Sequence, residues 1–153
     1  MTALLFVLLA LAAPATAQEA LRPVSQIPLL AVADGVHEDL DSLIQIYWQA
    51  HFNTNAEYAF GREQLRVGRV DLDGDGRAEL VLMVDAIGWN ADQGSPFVVA
   101  QWINKRWVAI GWGWGDEDTV FVTDEIKDGW RSIDTGTQLL RWAGTEYSFS
   151  DKR

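Results

Sequence analysis

Four carboxylates fall within nine residues of this chain, in the stretch Val70-Asp71-Leu72-Asp73-Gly74-Asp75-Gly76-Arg77-Ala78-Glu79-Leu80. Acids at loop positions one, three, five and nine repel one another unless a cation sits between them. Calcium takes six to eight hard oxygen ligands in a flexible shell, and a chain that wraps around the ion brings alternate side chains onto it. Asp71, Asp73 and Asp75 are the expected carboxylate ligands. Gly76 permits the sharp bend after them. Arg77 would offer its backbone carbonyl, and Glu79 would supply a further carboxylate directly or through water. A plain turn also uses Asp-Gly pairs, but it has no need of acids at those four positions. Magnesium fits less well, because it demands octahedral geometry and keeps several waters. The expected ligand set is therefore Asp71, Asp73, Asp75, Arg77 and Glu79 around one Ca2+.

The elements that must hold such a loop are apolar runs on both sides of it. Leu65 and Val67 alternate with Arg66 and Gly68, as in a half-buried strand, and residues 80–84 form a second apolar run. The pattern Asp-x-Asp-Gly-Asp-Gly-x-x-Glu-Leu between two such strands resembles the calcium loop of FG-GAP and VCBS-type repeats. It is also similar to an EF-hand loop through position nine. It departs from an EF-hand at position twelve, where Leu82 stands in place of a bidentate Glu, and its flanks are strands rather than helices. The FG-GAP-like resemblance implies a static strand–loop–strand site in which Glu79 is a ligand. It covers about fifteen residues. A weaker likeness lies in 129–133 and 140–147, which resemble strands that come after such loops in small exported bacterial proteins. The loop occurs once, so a complete propeller of such repeats is excluded.

Residues 18–33, with Pro23 and Pro28, read as an extended lead-in. Asp34 is a plausible helix N-cap, with Glu38 and Asp39 in the first turn, where the helix dipole favours negative charge. Leu40, Leu43, Ile44, Tyr47 and Trp48 then recur at helical spacing, and this helix should stop near Asn53 and Asn55. Strand character dominates the rest of the chain, in 65–70, 80–84, 97–103, 106–112, 120–123, 130–133, 139–142 and 146–149. Asn104-Lys105 should form a two-residue hairpin turn, Asn tolerating the left-handed backbone it demands. That register sets Trp102 opposite Trp107, an aromatic pair of the kind that stabilises sheets. Tyr147 and Phe149 alternate with Glu146 and Ser148, so the last strand should have one wet face. The expected fold class is α+β, an N-terminal helix followed by a mostly antiparallel β-sheet.

Residues 1–17 carry an apolar run ending in Ala15-Thr16-Ala17, which reads as a secretory signal cleaved after Ala17. The run is too short to span a membrane, which takes about 20 apolar residues. Residues 18–153 are then one domain in a periplasmic or secreted protein, without a membrane span once the signal is removed. With no Cys there is neither a disulfide nor a lipid-attachment site. Twelve basic and twenty-two acidic residues give a formal charge of −10. Phosphates would be repelled, so nucleic acid and anionic lipid are poor partners.

The remaining candidates are weaker. His37 and His51 lack the short spacing of a helical zinc pair. No Ser sits in a nucleophile elbow. The acidic groups Asp116, Glu117 and Asp118, or Asp124 and Glu125, could supply the carboxylates of a hydrolase, but they read equally as solvated loop charges. Of eight Trp, Trp112 and Trp114 lie two apart among Gly111, Gly113 and Gly115, hence on one face of a strand. Exposed, they would make a platform for a sugar; buried, they would close a small core, the glycines making room. The leading expectation is a non-catalytic exported calcium-binding domain that engages a protein partner, in the manner of an inhibitor or immunity protein. A glycan-binding module using the Trp residues and a carboxylate-dependent hydrolase are the alternatives.

Overall fold

The computed structural model describes residues 23–32 and 38–151. The signal segment, the Asp34 cap and His37 lie outside them. Two strands come first, β1 (Pro23–Gln26) and β2 (Leu30–Ala31), then α1 (Asp41–Tyr47), which a single 3-10 turn precedes. Eight more strands follow among the described residues: β3 (Leu65–Val70), β4 (Glu79–Val84), β5 (Ser95–Ile103), β6 (Arg106–Gly115), β7 (Phe121–Lys127), β8 (Trp130–Asp134), β9 (Gln138–Trp142) and β10 (Tyr147–Asp151). They form two five-stranded antiparallel sheets, ordered β1-β7-β8-β9-β10 and β2-β3-β4-β5-β6.

The expected α+β class is therefore wrong: the described residues are mostly β, and the one α-helix among them is short and comes after two strands. The reason lies in where the backbone hydrogen bonds go after Tyr47. Trp48 already leaves the helical region, at φ −133°. Phe60 N–H donates to the His51 carbonyl and Asn53 N–H to the Phe60 carbonyl, so the stretch expected to continue the helix is tied to residue 60 instead. Four of the five periodic residues keep their apolar role: Leu40, Leu43, Ile44 and Trp48 are buried, whereas Tyr47 is exposed.

Strand β4 explains the layering. All six of its residues are buried, so it has no wet face. Leu80, Leu82 and Val84 join the α1 residues, Val98 and Trp107 in one core. Val81 and Met83 point the other way and meet Phe97, Val99, Val122, Ile133, Leu140 and Tyr147 between the two sheets. The second sheet is thus sandwiched, with the helix on one side and the first sheet on the other.

The hairpin forms as the sequence indicates. Trp102 pairs with Trp107, their rings edge to face at 5.1 Å. Asn104 and Lys105 both take positive φ, 51° and 63°, the pair of left-handed residues a tight turn requires. Lys has no special tolerance for that region, which costs an ordinary residue about 1–2 kcal/mol. Lys105→Gly should therefore stabilise the protein by about 0.5–1 kcal/mol in urea unfolding; an unchanged midpoint would contradict this.

The Trp-rich segment of β6 divides its faces sharply. A Cβ on Gly113 would lie 2.5 Å from Phe97 Cζ, and one on Gly111 would lie 2.6 Å from Tyr147 Cβ. These glycines make room for the inter-sheet core. Trp112 turns to the helix side, its ring 4.5 Å from Tyr47 and 5.8 Å from Trp48, and stays 36% exposed. Trp114 is half-buried. The last strand only partly keeps its expected alternation, since Tyr147 is buried while Phe149 is exposed on a sheet edge.

Candidate metal centre

The acidic loop joins β3 to β4, where Val70 and Glu79 are opposite each other in the ladder. Position twelve of the motif, Leu82, is a core residue paired with Val67, so it has no part in any ion site. Leu72, at position two, anchors the loop. Its side chain is fully buried between the sheets, and its carbonyl accepts from Arg131 N–H at 2.8 Å.

Asp71, Asp73 and Glu79 converge: each offers a carboxylate oxygen, and these oxygens lie within 4.8 Å of one another. Local hydrogen bonds set the loop's shape. Asp71 Oδ1 accepts from Gly74 N–H at 2.7 Å and its Oδ2 from Gly76 N–H at 3.0 Å, both glycines holding positive φ of 76° and 85°. Asp73 Oδ1 accepts from Asp75 N–H, and Asp75 Oδ1 from Arg77 N–H at 2.7 Å. Asp75 is exposed and stands outside the trio. Arg77 is exposed as well, its side chain lining a neighbouring cleft.

Glu79 is the unusual member, only 2% exposed. Its Oε2 accepts from Leu72 N–H at 2.8 Å. Burial pushes its carboxyl up from 4.5 to about 7; the Leu72 N–H opposes that shift, and nearby Asp73 and Asp71 add to it. The same negative charges act on Tyr147. Its phenol is raised first by burial, then by Glu79 and Asp73, while its hydroxyl donates to the Arg131 carbonyl at 2.7 Å. Gln101 Nε2 donates to Asp73 Oδ2 at 3.2 Å. Three carboxylates this close cannot all ionise cheaply without a cation. A hard divalent ion is what such an oxygen set favours.

Glu79 gives this site a pH signature. Its folded value of about 7 lies above the unfolded one, so the folded state holds the proton more tightly. That contribution to stability is complete below the unfolded value and is lost as pH rises through about 7. In calcium-free buffer, urea unfolding midpoints should fall between about pH 5 and pH 8 through this group. Glu79→Gln should flatten that fall, because the amide oxygen still accepts from Leu72 and no longer titrates. Equal slopes for the two proteins would refute the assignment.

Gln101, Arg131 and Tyr147 were not read from the sequence as neighbours of the loop. They reach it through pairings far apart in the chain, which no local spacing reports. The other sequence candidates have occupations of their own. Glu117 pairs with Arg66 at 3.3 Å, and Glu125 with Arg141 at 2.9 Å while accepting from Ser132. Asp124 also has an interaction partner. His51 Nδ1 donates to the Glu57 carbonyl, and its ring meets Trp89 edge-on. Among the described residues, no helix is long and apolar enough to cross a membrane.

Among known proteins, no family model, no curated protein and no solved structure matches the chain. The FG-GAP and VCBS resemblance therefore rests on the loop residues themselves.

Proposed function

We propose that this protein is an exported, non-catalytic calcium-binding module, periplasmic or secreted, in which the ion holds the turn between β3 and β4. The convergence of Asp71, Asp73 and Glu79 carries the reading. The buried Glu79 carboxylate supports it, since a divalent cation gives an otherwise penalised charge a counterion. The ion would be held by these three carboxylates, with the Arg77 carbonyl and Asp75 as further candidates from the sequence. Its effect is to stiffen a loop that Leu72 and Arg131 already dock onto the other sheet. A module fixed in this way presents a rigid surface, as a protein that inhibits or neutralises a partner requires.

The test is calorimetric titration with calcium and with magnesium, paired with thermal melts in calcium and in chelator. Extracellular calcium modules bind at about 10⁻⁴–10⁻³ M, so the titration must run into the millimolar range. Calcium should bind with one site per chain and raise the midpoint more than magnesium does. Identical melts in calcium and chelator would end this reading.

A further inference from the structure

The outer edge of β6, near its hairpin tip, borders a slot of about 90 Å³ whose other wall is Leu43, Ile46 and Tyr47 of α1. We propose that this edge docks an extended acidic segment of a partner protein, which joins the second sheet as a further strand with alternating aliphatic and acidic residues.

The backbone carries the proposal. β6 is the last strand of its sheet. Asn104 and Lys105 make a two-residue turn with both φ positive, so the flanking pair Ile103–Arg106 is a hydrogen-bonded one. Bonded and non-bonded pairs then alternate along an antiparallel ladder. Gln101–Val108 is bonded to each other's backbone, whereas Trp102–Trp107 and Ala100–Ala109 are not. Trp107 and Ala109 therefore turn their N–H and C=O groups away from β5, to the outer edge. Among the described residues, no backbone hydrogen bond from a loop or cap reaches either of them. Residues 106–109 all line the slot, and successive side chains leave a strand on opposite faces, so the slot lies along the strand's edge. Such a row of outward groups is a template for another strand.

Side-chain alternation then defines the partner. Trp107 and Ala109 face the core that includes Leu43 and Ile44 of α1, and Arg106 and Val108 face the other way. Every second side chain of an added strand would enter the slot between β6 and α1. An apolar cavity of about 150 Å³ holds a benzene ring, so this smaller slot suits one aliphatic side chain. The intervening side chains would lie beside Arg106, which is exposed and makes no ion pair among the described residues. The charge there is also unlike the rest of the chain. No acid occurs between Asp92 and Asp116, although the chain has twenty-two. Lys105 and Arg106 lie within that stretch, and Arg69 sits over Trp107. A basic corner selects carboxylates on the incoming strand. A second copy of this chain, itself at −10, is repelled as a whole. The edge goes beyond the calcium reading and does not rest on it, since none of Asp71, Asp73 and Glu79 borders the slot.

The probes are two capped octapeptides, one alternating Val with Glu and one alternating Val with Lys, followed by calorimetry and by NMR amide exchange. In the protein alone, the Trp107 and Ala109 amides should exchange about tenfold or more faster than those of Arg106 and Val108. The Val–Glu peptide should bind saturably and slow Trp107 and Ala109 selectively, and the Val–Lys peptide should not bind. Ala109→Pro removes one outward donor and leaves the bonds to β5 in place; it should weaken the Val–Glu peptide about five- to tenfold. Arg106→Glu should weaken it about tenfold or more. Ile87→Ser, in the loop at the far end of β5 from the hairpin tip, should change nothing. Where Ala109→Pro does not fold, Arg106→Glu and Ile46→Asp decide the matter. Slow exchange of both amides in the protein alone would mean that its own chain already covers the edge. A dimer in sedimentation that Arg106→Glu or Ile46→Asp dissolves would mean that a second copy does. Either result overturns the proposal, as does failure of the Val–Glu peptide to bind, equal binding of the Val–Lys peptide, or binding that survives the edge variants.

Discussion

Asp71→Ala should abolish the calcium-dependent rise in melting temperature, and Asp75→Ala should leave most of it. With calcium about 100-fold above its dissociation constant, binding to the folded state alone adds about 2.7 kcal/mol. For a chain of this size that corresponds to roughly 10 °C. Asp71 has two roles in the structure. It belongs to the converging trio, and its two oxygens accept from Gly74 and Gly76, which shapes the bend. Removing it takes away a ligand and frees two backbone donors at once. Those donors are exposed and can turn to water, so the calcium-free melt should drop only slightly, by about 1 kcal/mol. Asp75 is different, being exposed and outside the trio, with Oδ1 turned to Arg77 N–H. Loss of the whole calcium shift in Asp75→Ala would mean that the loop closes further around the ion, as the spacing of acids in the sequence suggested. Differential scanning calorimetry of the three proteins, in calcium and in chelator, distinguishes the two arrangements.

What the sequence made legible was local. The strands flanking the loop were visible in the alternation of Leu65 and Val67 and in the apolar run of β4, and the hairpin at Asn104-Lys105 was visible down to its Trp102–Trp107 pair. Each of these depends on neighbours along the chain. The division into two sheets was not visible, because it depends on which strands lie side by side. β1 pairs with β7 far along the chain, Pro23 opposite Thr123, and nothing in its few residues names that partner. The helix was overextended for a related reason. Its apolar spacing was real, but the hydrogen bonds from Phe60 N–H to the His51 carbonyl and from Asn53 N–H to the Phe60 carbonyl overrode it. One signal pointed to the layering: five consecutive apolar residues, Leu80 to Val84, call for cover on both faces. At the loop, alternate acids announced a site but not its membership. Asp73 and Glu79 draw in Gln101 and Tyr147, whereas Asp75 remains at the rim.

The largest loss of stability should come from the seam where β6 meets β5. Phe97→Ala removes a fully buried ring from the inter-sheet core and should cost about 3–5 kcal/mol. That ring fits because Gly113, its cross-strand partner, has no side chain; a methyl there would lie 2.5 Å from Phe97 Cζ. Gly113→Ala alone should therefore cost about 1–3 kcal/mol through overpacking. Phe97→Leu shortens the side chain at the point of collision, so the double variant Phe97→Leu with Gly113→Ala should cost less than the sum of the two single ones. A coupling of about 0.5–3 kcal/mol is expected for residues in contact, read from urea unfolding of the four proteins in the cycle. Strict additivity would show that Gly113 does not act as the space for Phe97. The same logic extends to Gly111, where a Cβ would press on Tyr147. Tyr147 holds the Arg131 carbonyl, and the Arg131 N–H holds Leu72 in the acidic loop. A methyl at Gly111 should therefore reach the calcium site as well as the core, lowering calcium affinity alongside stability, whereas Gly113→Ala should lower stability alone.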